Sequence, residues 1–499
     1  MRFSSILTSF FVFTSVSIAT DAQLVPSKAN CLVLWAYFPK QVSYAESPAY
    51  NTTNSQFWDQ TCILSPTCIF YPTSAHDVSI ALKYLTSVKG RFAVKSGGHF
   101  SIPGYNNIND GVLISTERMK AMTWKAGDTV LELGAGVLWG EAYAKAAEKH
   151  KVVVGGRIPD IGVSGFLLGG GLSFIGAEYG FGCDNVVGFE IVLANGDIVY
   201  ANGSKYADLY KALKGGSSNY GIVTRFDVSA YPDAGGWGGQ LLFAIDSNAT
   251  RERMLDAIAD FHINGALDKK TGVIASFLTW PELGLNAFLG NVFYSQSVPT
   301  NSPPAALAGL LAVTGTAGLG NKTLGEVVSG TGAGATKGTA RNTFHVGSVV
   351  ATKESIHKVD EIFHAEFAKL ANVPGLRTVL VFQAIPPSFV YAGYKNGGNP
   401  MGLDASRGTV SWISQSLSWK NAADESKIKL AQRTAKNAYM SWATANGLAD
   451  KFLYLNDADE FQDVFASYGS ENEKFLKKVK KVYDPERVFE KLMPGGYKV

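Results

Sequence analysis

Glycine is the residue that most constrains this chain. Its 53 glycines are gathered rather than scattered, at Ser96-Gly97-Gly98-His99, Gly155-Gly156, Gly162 to Gly171, Gly176 to Gly182 and Gly215-Gly216. Without a Cβ, such runs let backbone N–H groups approach and cradle a pyrophosphate. The stretch Pro159 to Gly171 is not the dinucleotide fingerprint of the doubly wound fold. It lies deep in the chain, and no strand, G-x-G-x-x-G, helix order surrounds it.

A chain of 499 residues is long enough for two lobes or one large composite domain. With 46% hydrophobic and 17% charged residues it lies far from disordered chains. A net charge of +3 and the lack of a basic stripe interleaved with aromatics argue against nucleic acid as a partner. Arg2, the apolar stretch Ile6 to Ile18 and the small residues Ala19 and Ala22 read as a signal peptide over residues 1–22. Ala305 to Leu319 is too short and diluted to cross a membrane. The expectation is a secreted, monomeric glycoprotein, with sequons at Asn51, Asn202, Asn248 and Asn321 on exposed loops. Of the 4 cysteines, Cys31 with Cys68 is the preferred disulfide and Cys62 with Cys68 the alternative, while Cys183 reads as a small buried thiol.

From Thr61 to Tyr231, β-rich runs and helices alternate between glycine-dense turns. A run at Ile69 to Tyr71 precedes a helix capped near Ser74, with Val78, Ile80, Ala81 and Leu85 on one face. Phe92 to Val94 and Val130 to Leu133 read as strands, Gly140 to Lys149 as a helix, and Asn195-Gly196 as a two-residue hairpin turn. After Pro232 the pattern changes to amphipathic stretches at Arg251 to Ile263 and Lys353 to Leu370, with aromatic-rich strands at Phe288 to Tyr294 and Val410 to Leu417. The Gly/Ala/Thr-rich tract Thr314 to Thr339 reads as a surface loop. Lys451 to Val499 should add a strand and a helix from about Ser470 to Val482.

The ordered landmarks Lys95-Ser96-Gly97-Gly98-His99, Gly155-Gly156-Arg157-Ile158-Pro159-Asp160-Ile161-Gly162, Gly169-Gly170-Gly171 and Lys214 to Thr224 resemble the vanillyl-alcohol oxidase and p-cresol methylhydroxylase type of flavoprotein. With Tyr454-Leu455-Asn456, Ser467-Tyr468-Gly469 and Tyr483-Asp484-Pro485, they resemble its berberine bridge enzyme-like group in particular. The resemblance implies an α+β, two-lobed fold: an FAD-binding domain at residues 24–232, a substrate domain with an antiparallel sheet at 233–449, and a segment at 450–499 that returns to the FAD domain. It implies an FAD-dependent oxidoreductase that transfers a hydride from an alcohol, sugar or secondary metabolite to flavin, then to dioxygen. Alternatives are a dehydrogenase or oxidative cyclase, or a non-enzymatic binding module.

The family's flavin-bonding histidine falls on His99, implying one covalent link through a neutral ring nitrogen. The second link found in many relatives needs a cysteine where this chain has Ile158. The resemblance places further FAD contacts at Lys95, Ser96, Gly97, Gly98, Gly104, Gly156, Asp160, Ile161, Gly162, Ser164, Gly165, Gly169, Gly170, Asn185, Gly221, Ile222, Val223 and Asn456. Ile161 stands where relatives admit or block dioxygen, and its β-branched side chain suits admission. Many relatives carry a basic Tyr after the closing Asn; here Asp457 follows Asn456, so Asp457 is the candidate base, or else a polar group that leaves the acid–base work to another residue such as Tyr394 or Tyr468. Asn396 to Pro400 and Trp412 are expected to face the substrate. No metal is expected.

Overall fold

The computed structural model describes residues 26–299, 302–331 and 337–499, so the expected signal peptide lies outside the described residues. The first sheet has the order β1-β2-β4-β3, from Val42–Tyr44 (β1), Cys68–Phe70 (β2), Phe92–Lys95 (β3) and Val112–Ser115 (β4). β4 pairs in parallel with both β2 and β3. Parallel strands are covered on both faces and so read as unbroken apolar runs. Here Phe70, Phe92, Val112 and Ile114 enter the main core, while Ile69, Ala93 and Leu113 enter a small core with Tyr50 and Phe57. The helix Ala75–Ser87 lies over this sheet, its first turn capped by the Ser74 hydroxyl accepting from the Asp77 N–H at 3.2 Å.

The second sheet uses Met122–Lys125 (β5), Val130–Gly134 (β6), Lys151–Val153 (β7), Val186–Val192 (β8), Ile198–Asn202 (β9) and Ile222–Pro232 (β10). Its order is β5-β6-β10-β8-β9, with β7 on the far end of β10. The β8–β9 connection is longer than a two-residue turn. The Leu193 N–H bonds to the Asp197 carbonyl, leaving three residues at the tip with Gly196 at φ +80°, the left-handed position that glycine supplies.

The third sheet is antiparallel, with the order β14-β11-β13-β12-β16-β17-β15-β18. Its strands are Trp237–Ala244 (β11), Thr271–Trp280 (β12), Leu285–Tyr294 (β13), Leu319–Asn321 (β14), Arg341–Val350 (β15), Arg377–Ile385 (β16), Val410–Trp419 (β17) and Ala449–Asp450 (β18). The side-chain period of two divides each strand between its faces. Leu380, Phe382, Ile413 and Leu417 pack on the helices Asn248–Ile263, Lys353–Ala368 and Glu425–Ala445; Val379, Val381, Trp412 and Ser414 face the other way. Arg251 and Asp360 join two of these helices by a buried bidentate pair at 2.7 and 2.5 Å.

Several sequence expectations change. Thr314 to Thr339 is not one loop, since it holds β14 and the helix Leu324–Gly330, capped by Thr323 and Glu326. The expected strand after Lys451 is absent, because Lys451 to Tyr454 follow β18 as irregular chain; the helix Ser470–Tyr483 is present. None of the four sequon asparagines lies on a loop: Asn51 and Asn248 are on helices and Asn202 and Asn321 end strands, with Asn202 half-buried and the other three exposed. The disulfide joins Cys31 to Cys68, with Cα atoms 5.9 Å apart, and leaves Cys62 and Cys183 as buried free thiols. Among the described residues, no helix is long and apolar enough to cross a membrane.

Candidate active site

The glycine clusters meet backbone to backbone. A Cβ on Gly97 would lie 2.3 Å from the Gly162 nitrogen, and one on Gly162 would lie 2.5 Å from the Gly97 nitrogen, so the two motif loops pass each other with no room for a side chain. The Ala135 carbonyl ties them together by accepting from Ser96 Oγ at 2.8 Å, Ser164 Oγ at 2.7 Å and Thr116 Oγ1 at 3.1 Å. Gly165, one turn further, has nothing within 4 Å of the place a Cβ would occupy. It opens on a cavity of about 400 Å³ between these loops and the third sheet.

His99 lies on the cavity wall at the end of the first loop. Its ring stacks on Trp58 at 5.1 Å and 11°, and Trp58 stacks on Phe344 at 4.6 Å and 6°. The Trp58 N–H donates to the Gly98 carbonyl at 2.9 Å, which fixes the aromatic stack to the glycine turn. Burial, with the Lys337 ammonium adding to it, pushes the imidazole down to about pKa 4, so the ring is neutral at physiological pH.

Tyr454 to Asp457 line the same cavity. Asn456 Nδ2 donates to the Phe166 carbonyl at 3.1 Å and to Tyr454 Oη at 3.0 Å, and that phenol oxygen also accepts from the Leu172 N–H at 3.0 Å. These bonds lock the turn that presents Asp457. Burial raises the Asp457 carboxyl to about pKa 6, opposed by the charge of Arg157. Arg157 also lines the cavity, donates to Gln383 and sits 5.5 Å from the Trp412 ring centre. The third sheet supplies the roof, with Ile274, Val379, Val381, Phe344 and Trp412 apolar and Asn291, Ser414 and Ser416 polar.

The cavity thus gathers Ser96, Gly97, Gly98, His99, Ile161, Gly162, Ser164, Gly165, Asn456 and Asp457. Gly221, Ile222 and Val223 line a small adjoining cavity that shares Ser96, Ser164 and Ser218 with the first. Other expected contacts lie off both walls. Lys95 is buried with its ammonium 5.2 Å from the Phe57 ring centre, and Asp160 is exposed. Gly495 packs against the Gly104 carbonyl, Gly156 on Trp139, Gly169 on Asn456 and Gly170 on Met401, while the Cβ position of Gly104 itself is open. Asn185 spends its amide on the Tyr179 and Phe181 carbonyls. Tyr468 is not at the cavity: it is buried, with its hydroxyl on the Gly215 carbonyl at 3.0 Å. Tyr394 is 57% exposed, which also removes it as a base. Asn396 to Pro400 lie elsewhere as well; the Asn396 carbonyl accepts from Lys214, and Asn399 bonds Asp184.

Sequence reasoning missed Trp58, Arg157, Phe344, Tyr454 and Tyr497 as wall residues. Arg157 and Tyr454 sat inside the quoted motifs; nothing in the sequence marks Trp58 or Phe344.

The glycine-lined floor and the adjoining cavity at Gly221, which share Ser96, Ser164 and Ser218, fit a dinucleotide, with His99 on the same wall. A family model described as an FAD binding domain matches residues 66–202. An FAD-dependent monooxygenase of Penicillium roqueforti is 32% identical, covering 98% of each chain. The fold matches 6-hydroxy-D-nicotine oxidase from Arthrobacter nicotinovorans with a TM-score of 0.75 at 21% identity, over 95% of this chain and 98% of that one. It also matches glucooligosaccharide oxidase from Acremonium strictum, a protein with a 6-S-cysteinyl, 8α-N1-histidyl FAD, with a TM-score of 0.71 at 18% identity, over 93% of this chain and 97% of that one.

Proposed function

Since the chain belongs to the FAD-linked oxidoreductases of the vanillyl-alcohol oxidase type, in their berberine bridge enzyme-like group, we propose that it dehydrogenates a compact, largely apolar ring compound beneath the third sheet, using FAD carried on His99 alone. The FAD supplies a two-electron acceptor for the substrate's hydride and, with dioxygen as final acceptor, returns hydrogen peroxide. Asp457 takes the proton that the substrate hydroxyl or carbon acid releases as the hydride leaves. Its raised pKa matches the work of a base near neutral pH. Arg157, on the same cavity, keeps the carboxylate form accessible and offers N–H donors to a substrate oxygen.

The observation that carries the reading is the opening of His99, Gly165 and Asp457 on one cavity with an apolar roof. That roof disfavours a sugar, whose many hydroxyls would each need a partner. Ile158 on the same wall offers no thiol for a second link, which supports a single bond. Secretion fits too, because a disulfide between Cys31 and Cys68 persists in oxidising compartments. The test is acid precipitation followed by peptide mass analysis: flavin should stay with the pellet and its mass should fall on the peptide carrying His99. Colourless pellet protein with unmodified His99 would refute the covalent reading, and peroxide-free turnover in air would refute the oxidase half.

A further inference from the structure

The segment before β15 reaches across to the glycine floor. Lys337 Nζ donates to the Gly97 carbonyl at 3.2 Å, so an ammonium from the substrate half of the molecule sits on the loop that ends in His99. Other charges nearby are engaged elsewhere. Asp59 accepts from the N–H groups of Thr61 and Asn342, each at 3.0 Å, and the Lys95 ammonium lies against Phe57. Asp160 and Lys120 act on Lys337 itself, with opposite signs. Trp58, stacked on the imidazole, brings no charge.

We propose that Lys337 is a positioning residue for flavin attachment: its ammonium, bonded to the Gly97 carbonyl, holds the turn that presents the His99 ring and sets a positive charge on the loop that ends in it. The proposal rests on the covalent reading above. Attachment forms one N–C bond from a His99 ring nitrogen to the flavin's C8-methyl carbon. It breaks one N–H and one C–H bond, and two electrons and two protons leave on dioxygen as hydrogen peroxide. A protonated imidazole has no lone pair for that bond, so a cation at this point removes the unproductive form. The depressed His99 pKa, caused first by burial and then by Lys337, agrees with this role.

The experiment uses full-length apoprotein from a flavin-starved host, mixed with FAD in air, with covalent flavin read after acid precipitation between pH 4.5 and 8. Wild type should attach FAD at a rate that stays level down to about pH 5. Lys337→Gln, which keeps a donor for Gly97 but no charge, should match wild type at pH 8, with its acid limb moved up by about half to one pH unit. Lys337→Arg should restore the wild-type limb. Histidine-labelled NMR of the same apoproteins, with His99→Asn assigning the signal, should show the imidazole pKa rising in Lys337→Gln and returning in Lys337→Arg. An imidazole pKa or acid limb unmoved in Lys337→Gln overturns the role of Lys337. Wild type that binds FAD but never attaches it, with the NMR shift present, instead overturns the covalent reading on which the proposal stands.

Discussion

The floor and the roof of the cavity are built on opposite principles. The floor, from Ser96 to His99 and Ile161 to Gly165, works through side chains it lacks: two backbones pass closer than any Cβ allows, and the resulting groove is shaped by peptide groups. The roof, on β12, β16 and β17, works through alternating side chains whose other face is anchored in a helix-backed core. Gly97 and Gly162, where the loops cross, therefore tolerate no side chain, whereas a roof position can change what fits beneath it without loss of the fold.

The sharpest way to break this contrast is Gly97→Ala. Its Cβ would lie 2.3 Å from the Gly162 nitrogen, and backbone cannot yield as a flexible side chain can. The expected result is loss of about 3 kcal/mol or more, with little soluble flavin-bearing protein, read by urea denaturation and flavin absorbance. A variant that folds and loads FAD normally would show that the loops are not in contact.

Next in size is Asp457→Asn, which separates activity from stability. Turnover should fall about 100-fold or more, and the wild-type rise in kcat/KM through about pH 6, where the carboxyl ionises, should disappear. Stability should move the other way. The folded pKa is raised, so the contribution of this group is full below the unfolded value of 3.8 and is lost as pH climbs through about 6. Above pH 7 the Asn variant should thus be more stable than wild type by about 1–3 kcal/mol, with no gain at pH 4. Equal stability at both pH values would mean that Asp457 is not held against its ionisation.

The same contrast explains what could be read from sequence. The floor was legible because clustered glycine is itself the cause of the geometry, and Asp457 because it follows Asn456 in a landmark turn. Glycine alone did not say which neighbour it makes room for. Gly156 serves Trp139 and Gly170 serves Met401, both packing partners rather than ligand. Tyr468 lies off the cavity wall, and a phenol bound to the Gly215 carbonyl and one aimed at a substrate look alike in sequence. The roof was opaque for another reason. Its wall forms only when β16 and β17 align Gln383 with Trp412 and set Val379 and Val381 on the same face, a pairing fixed by tertiary register.

Roof substitutions should give the smallest effects on stability and the clearest ones on choice of substrate. Val381→Ala enlarges the cavity from a half-buried position, so it should cost about 1 kcal/mol of stability or less while shifting the ratio of kcat/KM between a smaller and a bulkier substrate by about tenfold. Ser414→Ala is smaller still. Its hydroxyl is buried and has no protein partner, so removing it should leave the urea midpoint unchanged or slightly raised. A loss of affinity confined to substrates that carry an oxygen beside Ser414 would then give that hydroxyl a partner in the complex. A loss of stability without ligand would instead place Ser414 in the structural core, and the division between a rigid floor and an adaptable roof would have to be redrawn one strand further out.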